Sequence, residues 1–258
     1  MKKSVFVTGA TNGTGFAIAR RFAKEGYTVF IGSRRGADAE EAAAKIADEF
    51  GVSAKGYETV IGDEDNVKAI FADIRAQGYL LSTLVLNAAN LGIGQVTLTM
   101  DVSQLVDVYN TNIFWNFMMA RQAALQMKEA GIGSIVFITS NSAIRVTENR
   151  LAYCSSKSAI LGMSKSLAVD LGRFGIRSNC VLPGMIKTVR WQSNLNNCQK
   201  SLPNHTPLHD IAEFDDVADA AWYFGSDQSR NITGAELVVD GGNLAQLTPS
   251  ETWEDFEK

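Results

Sequence analysis

The chain has 258 residues, 46% of them apolar, and a formal net charge of −4. That length fits one large α/β domain, and the apolar share is too high for a disordered chain. The mild acidic balance leaves no general basic footprint for nucleic acid or for an anionic membrane. The N-terminal apolar run, Val5-Phe6-Val7, is too short for a signal-peptide core, and no stretch elsewhere suits a bilayer span. Cys154, Cys180 and Cys198 are odd in number and show no paired spacing, which suits reduced thiols. The expectation is a soluble, cytoplasmic protein whose partner is a small molecule.

Strand and helix signals alternate along the chain. Ser4–Thr8 reads as a buried strand, and Phe16–Glu25 as a helix with Ile18 and Phe22 on one face, stopped at Gly26. Thr28–Ile31 is a second strand, Ala39–Phe50 an Ala/Glu-rich helix closed by Gly51, and 54–60 a third strand. A helix over Glu64–Gln77 precedes a fourth strand at Leu84–Leu86. Ser103–Ala130 is one long helical stretch, and Ser134–Thr139 a fifth strand. Ala152–Leu171 is a helix with Ile160, Met163, Leu167 and Leu171 as its apolar stripe. Arg177–Leu182 and Leu237–Val239 are the last two strands. Short, nearly continuous apolar strands between helices predict a Rossmann-type, doubly wound, parallel seven-stranded sheet with helices on both faces. No linker or repeat divides it, so residues 1–247 form one domain and 248–258 an acidic tail carrying Trp253 and Phe256.

Between the first strand and first helix lies Thr8-Gly9-Ala10-Thr11-Asn12-Gly13-Thr14-Gly15. Glycines there permit a tight turn and let backbone amides approach a pyrophosphate at the positive end of a helix. The spacing is a variant of the usual dinucleotide fingerprint, and its strand–helix context makes a ligand-free turn the weaker reading. About 20 residues on, a carboxylate would read a ribose 2′-hydroxyl. This chain instead has Gly32-Ser33-Arg34-Arg35, which suits the 2′-phosphate of NADP(H).

Tyr153 and Lys157 are four apart and share one helix face. An ammonium beside a phenol favours the phenolate and lowers its pKa from about 10, towards the range where it can exchange a proton near neutral pH. Alone, such a pair reads as a chance meeting on a solvated face. With the glycine turn, it makes the chain resemble the short-chain dehydrogenase/reductase family along nearly its whole length. Thr8–Gly15 matches the family's Thr-Gly-x-x-x-Gly-x-Gly, Asn87-Ala88-Ala89 its post-strand Asn-Ala-Gly, and Asn112 its helix asparagine. Ser140 stands at the family's spacing before Tyr153, Pro183-Gly184-Met185-Ile186-Lys187-Thr188 matches Pro-Gly-x-x-x-Thr, and Val239-Asp240-Gly241-Gly242 is the C-terminal signature.

The resemblance implies a catalytic set of Asn112, Ser140, Tyr153 and Lys157. Tyr153 would be the acid/base, Lys157 its modulator and a contact to the nicotinamide ribose, Ser140 a donor to the substrate oxygen, and Asn112 the anchor of a water. It implies cofactor contacts from Gly9, Thr11, Asn12, Gly13, Thr14, Gly15, Ser33, Arg34, Arg35, Asn87, Ala88, Ala89, Tyr153, Lys157, Pro183, Gly184, Ile186 and Thr188, and a homotetramer or homodimer. Several positions depart from the pattern: Ala89 for Gly, Leu86 for Asn, Thr14 for Ile, Trp115 for Gly, and Thr59 or Val60 where an Asp usually meets adenine, with Asp63 out of register.

On the substrate side stand Trp115, Arg145, Met185, Trp191 and the segment to His209. For Trp115 and Cys154 packing is the stronger reading, for Arg145 a surface position, and for His205 and His209 loop residues rather than metal ligands. Gly32–Arg35, Asn110–Asn112, Arg150–Lys157 and Gly175–Gly184 resemble phrases of bacterial hydroxysteroid dehydrogenases that act on bile acids. The competing readings are a 3-oxoacyl thioester or small-ketone reductase, with Lys187, Arg190 and Lys200 as the basic residues for a carrier, and a catalytically silent NADP-sensing regulator.

Overall fold

Alternation along the strands sets the layers. In β1 (Ser4–Thr8), Val5 and Val7 enter one core and Phe6 the other, because successive side chains of a strand point to opposite faces. The structure, a computed structural model, describes residues 3–188 and 202–248. Seven strands pair in parallel in the order β3-β2-β1-β4-β5-β6-β7. They are β1, β2 (Thr28–Ser33), β3 (Ala54–Glu58), β4 (Thr83–Leu86), β5 (Gly133–Ile138), β6 (Ile176–Pro183) and β7 (Glu236–Val239). β1, β4 and β5 are buried along their length, which is why they read as unbroken apolar runs.

On one face α1 (Gly13–Lys24), α2 (Gly36–Phe50) and α7 (Phe214–Gly225) bury Ile18, Phe22, Ile46, Val217 and Phe224 against Val7, Ile31 and Val136. On the other, α3 (Glu64–Ala76), α5 (Asn116–Ala130) and α6 (Leu151–Gly172) bury Phe71, Ile74, Met119 and Ile160 against Phe6, Leu84 and Phe137. This is the doubly wound sheet expected from the alternating signals.

Four details differ from the sequence reading. Helices α1 and α2 start three residues early, at Gly13 and Gly36, because their opening residues, Gly-Thr-Gly and Gly-Ala-Asp, carry no large apolar side chain to reveal them. The 103–130 stretch is helical throughout but divides into α4 (Val102–Tyr109), a π turn (Asn110–Trp115) and α5. In α6 the buried line runs through Lys157, Ile160, Ser164 and Ala168, while Met163, Leu167 and Leu171 only flank it. Ser164 and Ser178 satisfy each other at 2.9 Å across that buried line. Finally, α7 was not anticipated, although Glu213 and Asp216 form a capping box ahead of Val217, Ala220, Ala221 and Phe224.

Helix α2 lies close on β3. A Cβ on Gly56 would stand 2.2 Å from the Glu40 backbone nitrogen and 2.3 Å from the Ala39 carbonyl carbon. Backbone on both sides leaves no flexible end to yield, so Gly56→Ala is expected to cost about 2–3 kcal/mol in urea unfolding. A loss below about 0.5 kcal/mol would mean that α2 and β3 do not approach this closely.

Candidate active site

The sheet order reverses between β1 and β4, and a crevice opens beyond the carboxyl ends of those two strands. The Thr8 hydroxyl oxygen accepts from the backbone amides of Asn87 and Ala88, both at 3.0 Å. Asn87 Nδ2 donates to the carbonyls of Thr8 and Gly9 at 3.1 and 3.0 Å. Gly15 packs beneath this knot: a Cβ there would lie 2.2 Å from the Gly9 oxygen and 2.6 Å from Asn87 Nδ2. The turn is therefore closed at the same point where α1 begins. Asn12 precedes that helix without capping it through its side chain, so first-turn amides remain available to an anion.

A cleft of about 1050 Å³ runs along this edge. Gly9, Thr11, Asn12, Gly13, Thr14 and Gly15 line it, as do Ser33, Arg34, Asn87, Ala88, Ala89 and Thr188. Its size and amide-lined floor fit a dinucleotide. The two arginines after β2 separate: Arg34 lines the cleft, whereas Arg35 is turned to Asp38 in an ion pair and lies outside it. Ser33 Oγ accepts from the Arg35 amide at 3.3 Å and braces the turn. Thr59 and Ile61 line the end where the family's Asp would meet adenine. Asp63 is instead the N-cap of α3, accepting from the amides of Asp65 and Asn66. Sequence reasoning did not single out Asn90, Leu91, Thr111 or Phe214, which also line the cleft. Phe214 arrives on α7, whose capping box was the missed signal.

A smaller pocket of about 180 Å³ adjoins the cleft, sharing Thr14, Asn87, Ala89 and Leu91 with it. Ser140, Tyr153, Lys157, Pro183, Gly184 and Ile186 converge there, with Ile138 and Thr139 from the end of β5. Ser140 Oγ accepts from the Ser142 amide at 3.1 Å, which fixes its direction. Lys157 is buried, and its Nζ donates to the Ile138 carbonyl at 2.8 Å. Burial pulls the lysine pKa down to about 8.

The tyrosine departs from the sequence expectation. Burial raises the Tyr153 pKa, while a hydrogen bond with Ser140 and the charge of Arg150 oppose that rise. Lys157 Nζ is 5.7 Å from the ring centroid and donates to the Ile138 carbonyl. The Arg150 guanidinium lies nearer, 4.5 Å from that centroid.

Asn112 is buried in the π turn, outside both lined volumes. Its Oδ1 accepts from the Asn90 amide at 2.8 Å, and its Nδ2 donates to the Asn90 carbonyl and to Ser156 Oγ at 3.0 and 2.9 Å. It thereby ties the loop after β4 to the helix that carries Tyr153 and Lys157.

Trp115 is buried in the second core and also borders the cleft, and Cys154 and Cys180 are buried too. Arg145 is exposed and donates to the Asn243 and Gln246 carbonyls. His205 ends a short 3-10 turn and His209 adopts a left-handed turn conformation. Lys187 is paired with Asp210 and Glu213, both at 2.9 Å. Arg190, Trp191, Cys198, Lys200, Trp253 and Phe256 lie outside the described residues. Among the described residues no helix is long and apolar enough to cross a membrane.

A dinucleotide-sized cleft opening on a Ser–Tyr–Lys pocket, at the switch point of a parallel sheet, defines a Rossmann-fold oxidoreductase. The family model described as enoyl-(acyl carrier protein) reductase matches residues 9–243. The chain is 32% identical over 252 residues to L-rhamnose 1-dehydrogenase (NAD(P)(+)) of Azotobacter vinelandii, covering 95% of this chain and 98% of that one. It is 31% identical over 247 residues to the 3-oxoacyl-[acyl-carrier-protein] reductase FabG of Staphylococcus aureus, covering 94% and 98%. The structure of ElxO with NADP bound superposes with a TM-score of 0.87 at 28% identity, covering 95% of this chain and all 100% of the other. The chain belongs to the short-chain dehydrogenase/reductase family and is an oxidoreductase of alcohol and ketone groups.

Lys157 also bears on stability. Below about pH 8 the folded chain carries a buried ammonium that water would hold more favourably. Between about 8 and 10.5 unfolded chains keep a proton that folded ones have lost, so this group makes stability rise with pH through that window. Lys157→Met removes the effect. Its stability relative to the parent is expected to be highest below pH 8 and to fall by about 3 kcal/mol across the window. Urea unfolding of both proteins as a function of pH would measure this; a pH-independent difference would show that Lys157 is not held as a desolvated cation.

Proposed function

We propose that the protein is an NADP(H)-dependent dehydrogenase/reductase of secondary alcohols and ketones, with a hydroxysteroid of the bile-acid type as its substrate. The observation that carries the reaction class is the shared wall: Thr14, Asn87, Ala89 and Leu91 border both the dinucleotide cleft and the pocket of Ser140, Tyr153 and Lys157. A bound nicotinamide would supply or accept the hydride.

The chain's own residues handle the oxygen and its proton. Tyr153 gives a proton to the ketone oxygen, or takes one from the alcohol, as general acid or base. Ser140, oriented by the Ser142 amide, donates to the same oxygen as charge develops on it. Lys157, with three donor hydrogens and one of them spent on Ile138, has two left for a ribose hydroxyl and for the proton path. Asn112 holds the Asn90 loop and α6 in register, which keeps the cleft and pocket aligned.

For NADP(H), the support is an arginine on the cleft wall after β2 together with the names of the relatives, one acting with NAD(P)(+) and one seen with NADP bound. For a large apolar substrate, the support is the sequence phrases shared with hydroxysteroid dehydrogenases and the exposed apolar side chain of Leu91, which lines the pocket. The similarity to an acyl-carrier reductase favours a second reading, reduction of 3-oxoacyl thioesters. Against it, the described cation expected to meet an acidic carrier, Lys187, is already held by two carboxylates. A silent NADP sensor would have no need of Ser140 and Tyr153 in one pocket. We further infer assembly as a homotetramer or homodimer, supported by exposed Phe117 and Leu125 on α5.

Nicotinamide absorbance with NADP⁺ against a panel of hydroxylated bile acids, simple secondary alcohols and 3-oxoacyl thioesters tests the substrate class. Turnover confined to one bile-acid hydroxyl is expected, and turnover of thioesters alone would replace the steroid reading with the second one. Tyr153→Phe is expected to abolish turnover while leaving NADPH binding nearly intact; substantial remaining activity would remove Tyr153 from its role. Arg34→Ala is expected to weaken NADPH binding roughly 10- to 100-fold and leave NADH binding unchanged. Arg35→Ala should do much less, since Arg35 already serves Asp38; equal losses would show that both arginines read the 2′-phosphate.

A further inference from the structure

Arg150 is the residue before α6, three positions ahead of Tyr153. Its guanidinium carbon is 4.5 Å from the centroid of the Tyr153 ring. Its Nε is buried and has no hydrogen-bond partner among the described residues. No ion pair to a carboxylate draws the charge away from the ring among those residues either. Burying a guanidinium nitrogen without a partner costs stability, and a cation–ring contact works against that cost.

The second cation of the pocket is placed differently. Lys157 Nζ is 5.7 Å from the same centroid and is engaged by the Ile138 carbonyl. Burial also brings that ammonium to the point of losing its proton at about pH 8, whereas a guanidinium stays charged throughout. Among the described residues, the groups bearing on Tyr153 are Ser140 from the turn after β5, and Arg150, Cys154 and Lys157 from α6 or its threshold. Arg150 is the permanent charge in that set. A cation on an aromatic face gains attraction as the ring becomes more electron-rich, which is what ionisation of the phenol does.

We propose that Arg150 is a positioning residue of the active site, a fixed cation laid on the face of Tyr153 that favours its phenolate form. This rests on the reading of Tyr153 as the acid/base group. It adds a partner that the tyrosine–lysine spacing does not reveal, because residues three apart on the entry turn of a helix stack in a way sequence alone leaves open.

The test uses the full chain labelled with difluorotyrosine, whose phenol ionises near neutral pH, and follows fluorine NMR against pH. The Tyr153 resonance is identified by its loss in Tyr153→Phe. In the parent, Tyr153 is expected to hold about tenfold more phenolate at a given pH than in Arg150→Met, a displacement of about one pH unit. Arg150→Lys, which keeps the charge, is expected to recover most of it, and Arg150→Gln serves if the Met variant does not fold. A midpoint unmoved by loss of the guanidinium overturns the proposal, as does a Tyr153 resonance that stays protonated in both proteins. The outcome does not depend on turnover. Activity in Tyr153→Phe would sink the catalytic reading alone, while an unmoved midpoint with an inactive Tyr153→Phe would sink the Arg150 proposal alone.

Discussion

Four hydrogen bonds between Thr8 and Asn87 and their neighbours fasten β1 to β4 just past their ends, where the sheet changes direction. Strands on either side of a reversal send their connections to opposite faces, so a gap opens there that no connection crosses. A gap between unfastened strand ends would be soft. Here the Thr8 hydroxyl receives two amides from the β4 side, and Asn87 returns two bonds to carbonyls of the β1 side. Gly15 is pressed against the same knot, which sets where α1 starts and hence where its free amides point. The cleft wall, the helix terminus and the wall shared with the Ser–Tyr–Lys pocket all take their positions from this junction.

Inside the pocket, burial decides more than spacing does. A lysine four residues after a tyrosine on an exposed helix face would have only the phenol to answer to. On a buried face it must also satisfy its own donors, and the Ile138 carbonyl at 2.8 Å does so. Desolvation then works against both charged forms, lowering the lysine and raising the tyrosine. The same burial that makes proton transfer specific, by excluding water, therefore has to be countered by groups that favour the ionised tyrosine. Ser140 and Arg150 act in that sense.

Much of the fold was legible because it rests on local signals. Short strand signals, most of them apolar, gave the seven strands within one or two residues, and the helices read between the first six implied parallel pairing. The glycine turn gave the cofactor side, since its strand–helix context restricts what such a turn can do. What escaped notice depended on contacts across the chain. Arg34 and Arg35 are indistinguishable in sequence, and only the Asp38 side chain separates them. Asp63 looks like a displaced adenine contact until its two amide partners show a helix cap. The Asn110–Trp115 π turn hides within an ordinary helical pattern, since a wider turn changes backbone bonding without changing residue type. In α6 the most apolar stripe is not the most buried line, because Lys157 and Ser164 are taken inward by polar partners from β5 and β6.

The two sides of the site are held by different kinds of interaction, and this bears on which of them can vary. The cofactor side is carried by sheet ladders and by the Thr8–Asn87 junction, all in the central strands. The other side, around Gly184 and the C-terminal turn, is assembled from segments far apart in the chain and joined by single polar contacts. Asn243 meets Asn141 Nδ2 at 3.2 Å and donates to the His205 carbonyl at 3.0 Å. Arg145 reaches the carbonyls of Asn243 and Gln246. Asp240 closes the C-terminal turn by accepting from Gly242 and Leu244, and a Cβ on Gly184 would meet its Cβ at 2.6 Å. Replacing one such contact reshapes a loop, while replacing one in the central strands disturbs the sheet. The division leaves a cleft fixed by the central strands beside loops held by fewer bonds.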